Sequence, residues 1–191
     1  VASAETFTVG PKTSAVFARL KEQLSEAVGA GLASSQFDVG NALKLSPDRL
    51  VICCGTSPTG PANFHRVQQA GNHLLRDDGA WFDFHLTFRD AAPATLIAYG
   101  FELRLPVSAT SNPTSPAGDP TVQAAAISRL PPWIRYDLNR PGHTNHGRDL
   151  RSHLHPGHDD LQLPAPVLFP EELVHLCLTA LRFDPDRKRR S

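Results

Sequence analysis

At 191 residues the chain is long enough to bury a substantial core within one domain. Its 40% apolar and 20% charged residues fit a globular protein, while a formal net charge of zero lacks the broad basic footprint of a dedicated nucleic-acid binder. No run approaches the roughly 18 to 20 apolar residues that cross a bilayer, and the first residues show no charged-then-apolar leader, so a cytoplasmic chain away from membranes is expected.

Three cysteines, two of them adjacent, make neither a disulfide framework nor a C-x-x-C zinc pair, and reduced thiols are expected. A composition rich in Ala, Pro and Arg, with lysine only at Lys12, Lys21, Lys44 and Lys188, suggests a bacterial source.

Val16, Phe17, Leu20, Leu24, Ala27 and Val28 recur at helical spacing over residues 13–28, with Thr13 or Ser14 as N-cap and Gly29 as stop. Residues 30–48 are low in periodicity and end in the turn signal Ser46-Pro47-Asp48; Leu50 to Cys54 then reads as a short buried strand. The glycine-rich loop that follows matches the start of a phosphate-binding loop from Gly55 to Gly60, but Pro61 and Ala62 stand where Lys and Ser/Thr are required. A phosphatase-type cysteine loop fails as well, since Thr59 and Gly60 occupy the positions of its arginine. Cys53 and Cys54 are therefore expected to be small apolar packers.

Phe64, Val67 and Ala70 mark a short helix over 62–70, which Gly71 weakens. Leu74 and Leu75, the turn Arg76-Asp77-Asp78-Gly79, and a strand from Trp81 form a hairpin. In that strand Phe82, Phe84, Leu86 and Phe88 take one face, and Trp81, Asp83, His85 and Thr87 the other. After Ala91 to Pro93 a further strand places Ile97, Tyr99, Phe101, Leu103 and Leu105 on one face, completing an antiparallel meander. Residues 106–132, rich in Pro, Ser and Thr, read as a long loop or insertion within a single domain spanning 1–191.

Strand alternation resumes at Trp133 to Leu138, with Ile134, Tyr136 and Leu138 inward and Trp133, Arg135 and Asp137 on the other side. In Arg151 to His155, Arg151, His153 and His155 share a face, and a turn at Pro156 to Asp160 leads to Leu161 to Leu163. Pro170 opens a C-terminal helix with Glu171 and Glu172 in its first turn and Leu173, Val174, Leu176, Cys177, Leu178 and Leu181 as a wide apolar face; His175 on it is expected to be structural. Arg187 to Arg190 reads as a solvated basic tail. The expected fold class is α+β, a twisted antiparallel sheet covered by an N-terminal and a C-terminal helix.

Five of the nine histidines (His143, His146, His153, His155, His158) fall between Pro132 and Pro166 among Arg135, Asp137, Arg140, Arg148, Arg151, Asp159 and Asp160. Such a density of titratable groups marks a site. Histidines two apart on a strand lie about 6.8 Å apart along the chain, so their rings can converge on one ion or one substrate group, with Asp137 as a third ligand or as an orienter of an imidazole. One reading is a divalent metal held by His153, His155 and Asp137. Another is metal-free acid and base catalysis by the histidines, with Arg135 or Arg151 neutralising a phosphate, as phosphodiester cleavage in RNA requires. Trp133, His143 and His146 are the expected substrate contacts, the last two on a flap. The remaining readings are a hydrogen-bonded structural network and a non-enzymatic subunit that binds a protein partner through aromatic and proline-rich surfaces.

Arg135-Tyr136-Asp137, His153-Leu154-His155, the following L-x-L-P-x-P stretch and the Pro-Glu-Glu helix together resemble a family of bacterial domains of unknown function. More distantly they resemble TumE-type toxins of toxin and antitoxin modules. The resemblance covers mainly residues 80–182, and the chain departs from it in Leu138-Asn139 after the aspartate and in its long N-terminal part. It implies a polar site at Arg135, Tyr136, Asp137, His153 and His155, with Tyr136 as a further substrate contact. It also implies a place in a defence or mobile-element gene cassette, with RNA or a protein from that cassette as partner.

Overall fold

A computed structural model describes residues 6–34, 38–55, 74–105, 133–143 and 150–182. The expected helix at 62–70, the insertion at 106–132, His146, Arg148 and the basic tail lie outside the described residues.

The architecture is α+β: nine strands among the described residues form one sheet with antiparallel pairing, together with helices near both ends. The strands are β1 (Phe7–Gly10), β2 (Leu43–Leu45), β3 (Val51–Cys54), β4 (Leu74–Leu75), β5 (Trp81–Ala91), β6 (Ala94–Arg104), β7 (Trp133–Leu138), β8 (Ser152–Pro156) and β9 (Leu163–Pro164). The helices are α1 (Thr13–Gly29), α2 (Val39–Ala42) and α3 (Pro170–His175), the last continuing as a π-type turn over Leu176–Ala180. Sheet order runs β2-β3-β5-β6-β7-β8-β9, with β1 added to β6 and β4 to β5. No helix among the described residues is long and apolar enough to cross a membrane.

Helix α1 forms where the apolar spacing requires it and buries Val16, Leu20, Leu24 and Ala27. Its ends differ from the expected ones. Lys12 is the N-cap and gives no side-chain bond. The left-handed residue past the C-terminus is Gly31 (φ 73°), not Gly29, with the Leu32 N–H donating to the Ala27 carbonyl at 2.9 Å. That is a Schellman closure, which needs a residue without Cβ strain two positions beyond the last helical one. The region expected to be aperiodic holds α2, capped by the Asp38 carboxylate accepting from the Gly40 and Asn41 N–H groups, and then β2. Both are too short for periodicity to reveal.

The core lies between one sheet face and the helices. Phe82, Phe84, Leu86 and Phe88 of β5 and Leu103, Phe101 and Tyr99 of β6 meet Leu20 and Leu24 of α1 and Leu173, Val174 and Leu178 from the C-terminal helical segment. Phe84 and Phe101 stack at 4.9 Å between centroids. A register shift between Thr87 and Phe88 pairs Phe88 with Leu96, so Leu96 is fully buried and Ile97 only half-buried. The expectation of Ile97 on the core face is corrected here, because an extra residue in a strand inverts the alternation beyond it. Cys53 and Cys54 are wholly buried, and burial pushes the Cys54 thiol well up, with Asp83 and Cys53 adding to the effect, which keeps it an unreactive packer.

The two helices are tied together by Arg19 Nε donating to Glu171 at 2.7 Å, while Glu172 accepts from the Phe169 N–H at 2.7 Å to close the first turn of α3. Arg76, 1% exposed, pairs with Asp78 and donates to the carbonyls of Cys177 at 2.5 Å and Leu181 at 2.7 Å. This buried guanidinium answers the unpaired carbonyls at the end of the C-terminal helical segment and fastens it to the β4–β5 turn.

Two outcomes follow from these contacts. Arg76→Ala removes the guanidinium that balances the Asp78 carboxylate, and urea unfolding should show a loss of about 3–5 kcal/mol. The Tyr99 phenol is pushed up to about 12 by burial, partly opposed by the Leu168 backbone. Because the fold favours its neutral form, that contribution is complete below about pH 10 and disappears as pH climbs through the raised value. Urea midpoints across that interval should fall less steeply for Tyr99→Phe than for the unaltered chain.

Candidate functional site

The sheet face opposite the helices carries the polar alternates, and antiparallel register stacks them in rows. One row runs Asp83, Glu102, Arg135, His155 across β5, β6, β7 and β8. The next runs Cys53, His85, Gly100, Asp137, His153 from β3 to β8. A third places Arg104 between Trp81 and Trp133.

The rows converge on the carboxylate of Asp137. Its Oδ2 accepts from Arg135 Nε at 2.7 Å and faces His155 Nε2 at 3.4 Å and His153 Nε2 at 3.9 Å. The second Arg135 branch reaches Asp159 Oδ1 at 2.8 Å. The imidazoles meet edge to face at 4.7 Å between centroids, each 1% exposed, whereas the Asp137 and Arg135 side chains keep 18% and 17% of their surface. The cluster is thus closed on its histidine side and reachable along the Asp137 and Arg135 edge.

His155 Nδ1 lies 3.4 Å from the His158 carbonyl, so both ring nitrogens face oxygen acceptors. A neutral imidazole has a single N–H, and once that hydrogen serves the carbonyl its Nε2 lone pair points at Asp137. Burial pushes His153 below its ordinary pKa, Asp137 pulls the other way and His155 adds to the lowering. Neutral imidazole is the form in which histidine ligates a metal. Burial works against the charge of Arg135, yet Asp137 and Asp159 outweigh it and hold the guanidinium above its ordinary value.

The structure brings Arg135, Asp137, His153 and His155 together. Trp133 joins them: its ring lies 6.4 Å from that of His155, with the Arg135 guanidinium 5.4 Å from its centroid. Three expected members are not part of this grouping. Tyr136 points to the core face, its hydroxyl donating to the Pro166 carbonyl, because its neighbours Arg135 and Asp137 take the opposite side. Arg151 precedes β8, and its guanidinium lies 5.8 Å from the ring of Phe7 in β1. His143 is exposed in the turn after β7.

Three residues of this face escaped the sequence reading as site members: Glu102, Arg104 and His85. Glu102 is fully buried and paired with Arg104 at 2.5 Å, and the Arg104 guanidinium lies 5.3 Å from the Trp81 ring. Burial lowers the His85 pKa, with Arg140 contributing. The polar alternation in β5 and β6 was the available signal; the missing piece was the register that sets those strands beside β7.

Asp137, His153 and His155 each offer one ligand atom, and these atoms all lie within 4.8 Å of one another. Two imidazole nitrogens and one carboxylate oxygen form a donor set of intermediate softness, suited to first-row divalent ions with positions left open. Compared with family models, curated proteins and solved structures, the chain matches none of them.

The Arg135–Asp137 pair is half-buried and hydrogen-bonded, so a double-mutant cycle with Arg135→Ala and Asp137→Ala should return a coupling of about 1.5–3 kcal/mol. Urea unfolding of the four proteins measures it, and additive losses would mean that the pair is not formed.

Proposed function

We propose that the polar face binds the phosphate backbone of RNA at the Arg135, Asp137, His153 and His155 cluster and cleaves a phosphodiester bond there. The observation that carries this reading is the convergence of two buried imidazoles and a guanidinium on one carboxylate oxygen. In the reaction the 2′-oxygen of the RNA attacks phosphorus and its proton passes to the cluster. The P–O5′ bond breaks with its electron pair on the 5′-oxygen, which takes up a proton. A 2′,3′-cyclic phosphate and a 5′-hydroxyl result. Arg135, at the accessible edge, is placed to meet a phosphate oxygen as charge builds. Trp133 beside it offers an aromatic neighbour for an unstacked base.

The resemblance of Arg135-Tyr136-Asp137 and His153-Leu154-His155 to TumE-type toxins supports a bacterial defence or mobile-element setting, with a protein partner from the same cassette. A second reading, a non-enzymatic interaction subunit, draws on Leu161, Leu163 and Phe169, which are 48%, 45% and 52% exposed near the edge strand β9.

End-labelled RNA and DNA of the same sequence, incubated with the full chain in Zn²⁺, in Mn²⁺ and in chelator, separate the readings. RNA should be cut to cyclic-phosphate ends and DNA, which has no 2′-hydroxyl, left intact. His155→Ala and Arg135→Ala should each slow cleavage by about 10²–10⁴. RNA left whole in every condition removes the enzymatic reading in favour of the interaction subunit, and cutting that persists in both variants moves the chemistry elsewhere.

A further inference from the structure

The guanidiniums of the polar face are already matched with carboxylates: Arg135 pairs with both Asp137 and Asp159, and Arg104 with Glu102. A phosphodiester anion brought to the cluster therefore meets little uncompensated positive charge and needs a further cation. The atoms nearest the focus of the cluster are themselves electron donors: the Nε2 of His155 is buried and makes no hydrogen bond, and it points at Asp137 Oδ2 from 3.4 Å. The 3.4 Å separation of Oδ2 from His155 Nε2 is that of two tetrahedral ligands about 2.0–2.2 Å from a common ion, while the 3.9 Å to His153 Nε2 and the 4.8 Å span of the three donor atoms shorten when the ion binds.

From this geometry we infer that Asp137, His153 and His155 hold one divalent first-row transition ion, zinc-class in its donor preference, with its remaining positions directed to the accessible Asp137 and Arg135 edge. The outer contacts suit that role. The His158 carbonyl at His155 Nδ1 fixes the ring so that Nε2 is the ligating atom, and Arg135 on Asp137 Oδ2 orients the carboxylate. As cofactor of RNA cleavage the ion rests on the reading of the preceding section; as a bound ion it is measured by itself. With it in place the imidazoles serve as ligands, and the positive charge that the phosphate requires comes from the ion.

The test uses the full chain, freed of metal by chelator and dialysed, then titrated with Co²⁺ and, separately, with Zn²⁺. Co²⁺ should give a visible d–d spectrum that saturates at one equivalent, Zn²⁺ should abolish that spectrum by displacement, and Zn²⁺ should raise the melting temperature. Asp137→Asn and His155→Gln, which keep side-chain size, should weaken Co²⁺ binding by about 100-fold or more, since the loss of a mere outer-shell partner already costs 10- to 100-fold. His175→Gln, on the exposed side of α3, should bind as the unaltered chain does. A chain that gives no Co²⁺ spectrum and no thermal shift overturns the proposal without any variant, and so does a spectrum untouched by Asp137→Asn and His155→Gln in folded protein. Metal binding without RNA cleavage keeps the ion and removes the reaction; cleavage undiminished in chelator by protein that binds no Co²⁺ keeps the reaction and removes the ion.

Discussion

Register between β6, β7 and β8 is the constraint on which the site depends. Glu102 opposes Arg135, Gly100 opposes Asp137, and those two in turn oppose His155 and His153. A slip of one residue in β7 would carry Arg135 and Asp137 into the apolar face and lift Tyr136 and Leu138 out of it. The apolar side holds the register: Tyr99 packs near Tyr136 at 6.2 Å between centroids, and the Tyr136 hydroxyl and Ser152 Oγ both donate to the Pro166 carbonyl. The core therefore positions the polar cluster from behind, through alternation alone.

That arrangement has a cost in stability. Asp83, Glu102, His153 and His155 are each at most 1% exposed, and burying charged or polar groups is expensive even when they are paired. Apolar residues of similar volume in place of a buried ionic cluster are often neutral or stabilising. A sheet that needed only cover on its second face would be served as well by leucine and valine. The persistence of carboxylates, guanidiniums and imidazoles there is easier to understand if the face has work to do, and Gly100, which contributes no side chain between His85 and Asp137, keeps the centre of that face from being filled.

Most of the scaffold was readable because it follows periodicity. The 3.6-residue spacing in α1 and the two-residue alternation in β5, β7 and β8 mark both the elements and their inner faces. The Arg135, Asp137, His153 and His155 grouping was readable for the same reason, given two strands in one sheet. What escaped depends on non-local or irregular features: the bulge that exchanges Ile97 for Leu96, the two short elements α2 and β2, and the position of Arg151 one residue outside β8, where alternation ceases to apply. Tyr136 was grouped with the site through resemblance, against the alternation that had already placed it inward, and the alternation was the better guide. Glu102 and Arg104 show in the sequence only as polar alternates of β6, because nothing local says which strand will lie beside it.

The short segment after β8 explains how a cluster built on two strands is held in one geometry. Gly157 turns the chain with φ 80°, a conformation that side chains resist. Three residues that follow it act together: the His158 carbonyl restrains the His155 ring, the Asp159 carboxylate holds the far branch of Arg135, and His158 Nδ1 accepts from the Asp160 N–H at 3.2 Å. Arg135 is thereby fixed at both ends, and Asp137 is fixed by Arg135. Restraint of each reacting group by a neighbour that does not itself react is what preorganised sites require, since a group already in place needs no reorganisation when charge develops. A purely structural network would be satisfied by any pairing of donors with acceptors. Here the restraints leave the Nε2 of His155 aimed at an acceptor with no hydrogen bond of its own, and that unfinished contact is the feature a bound cation would complete.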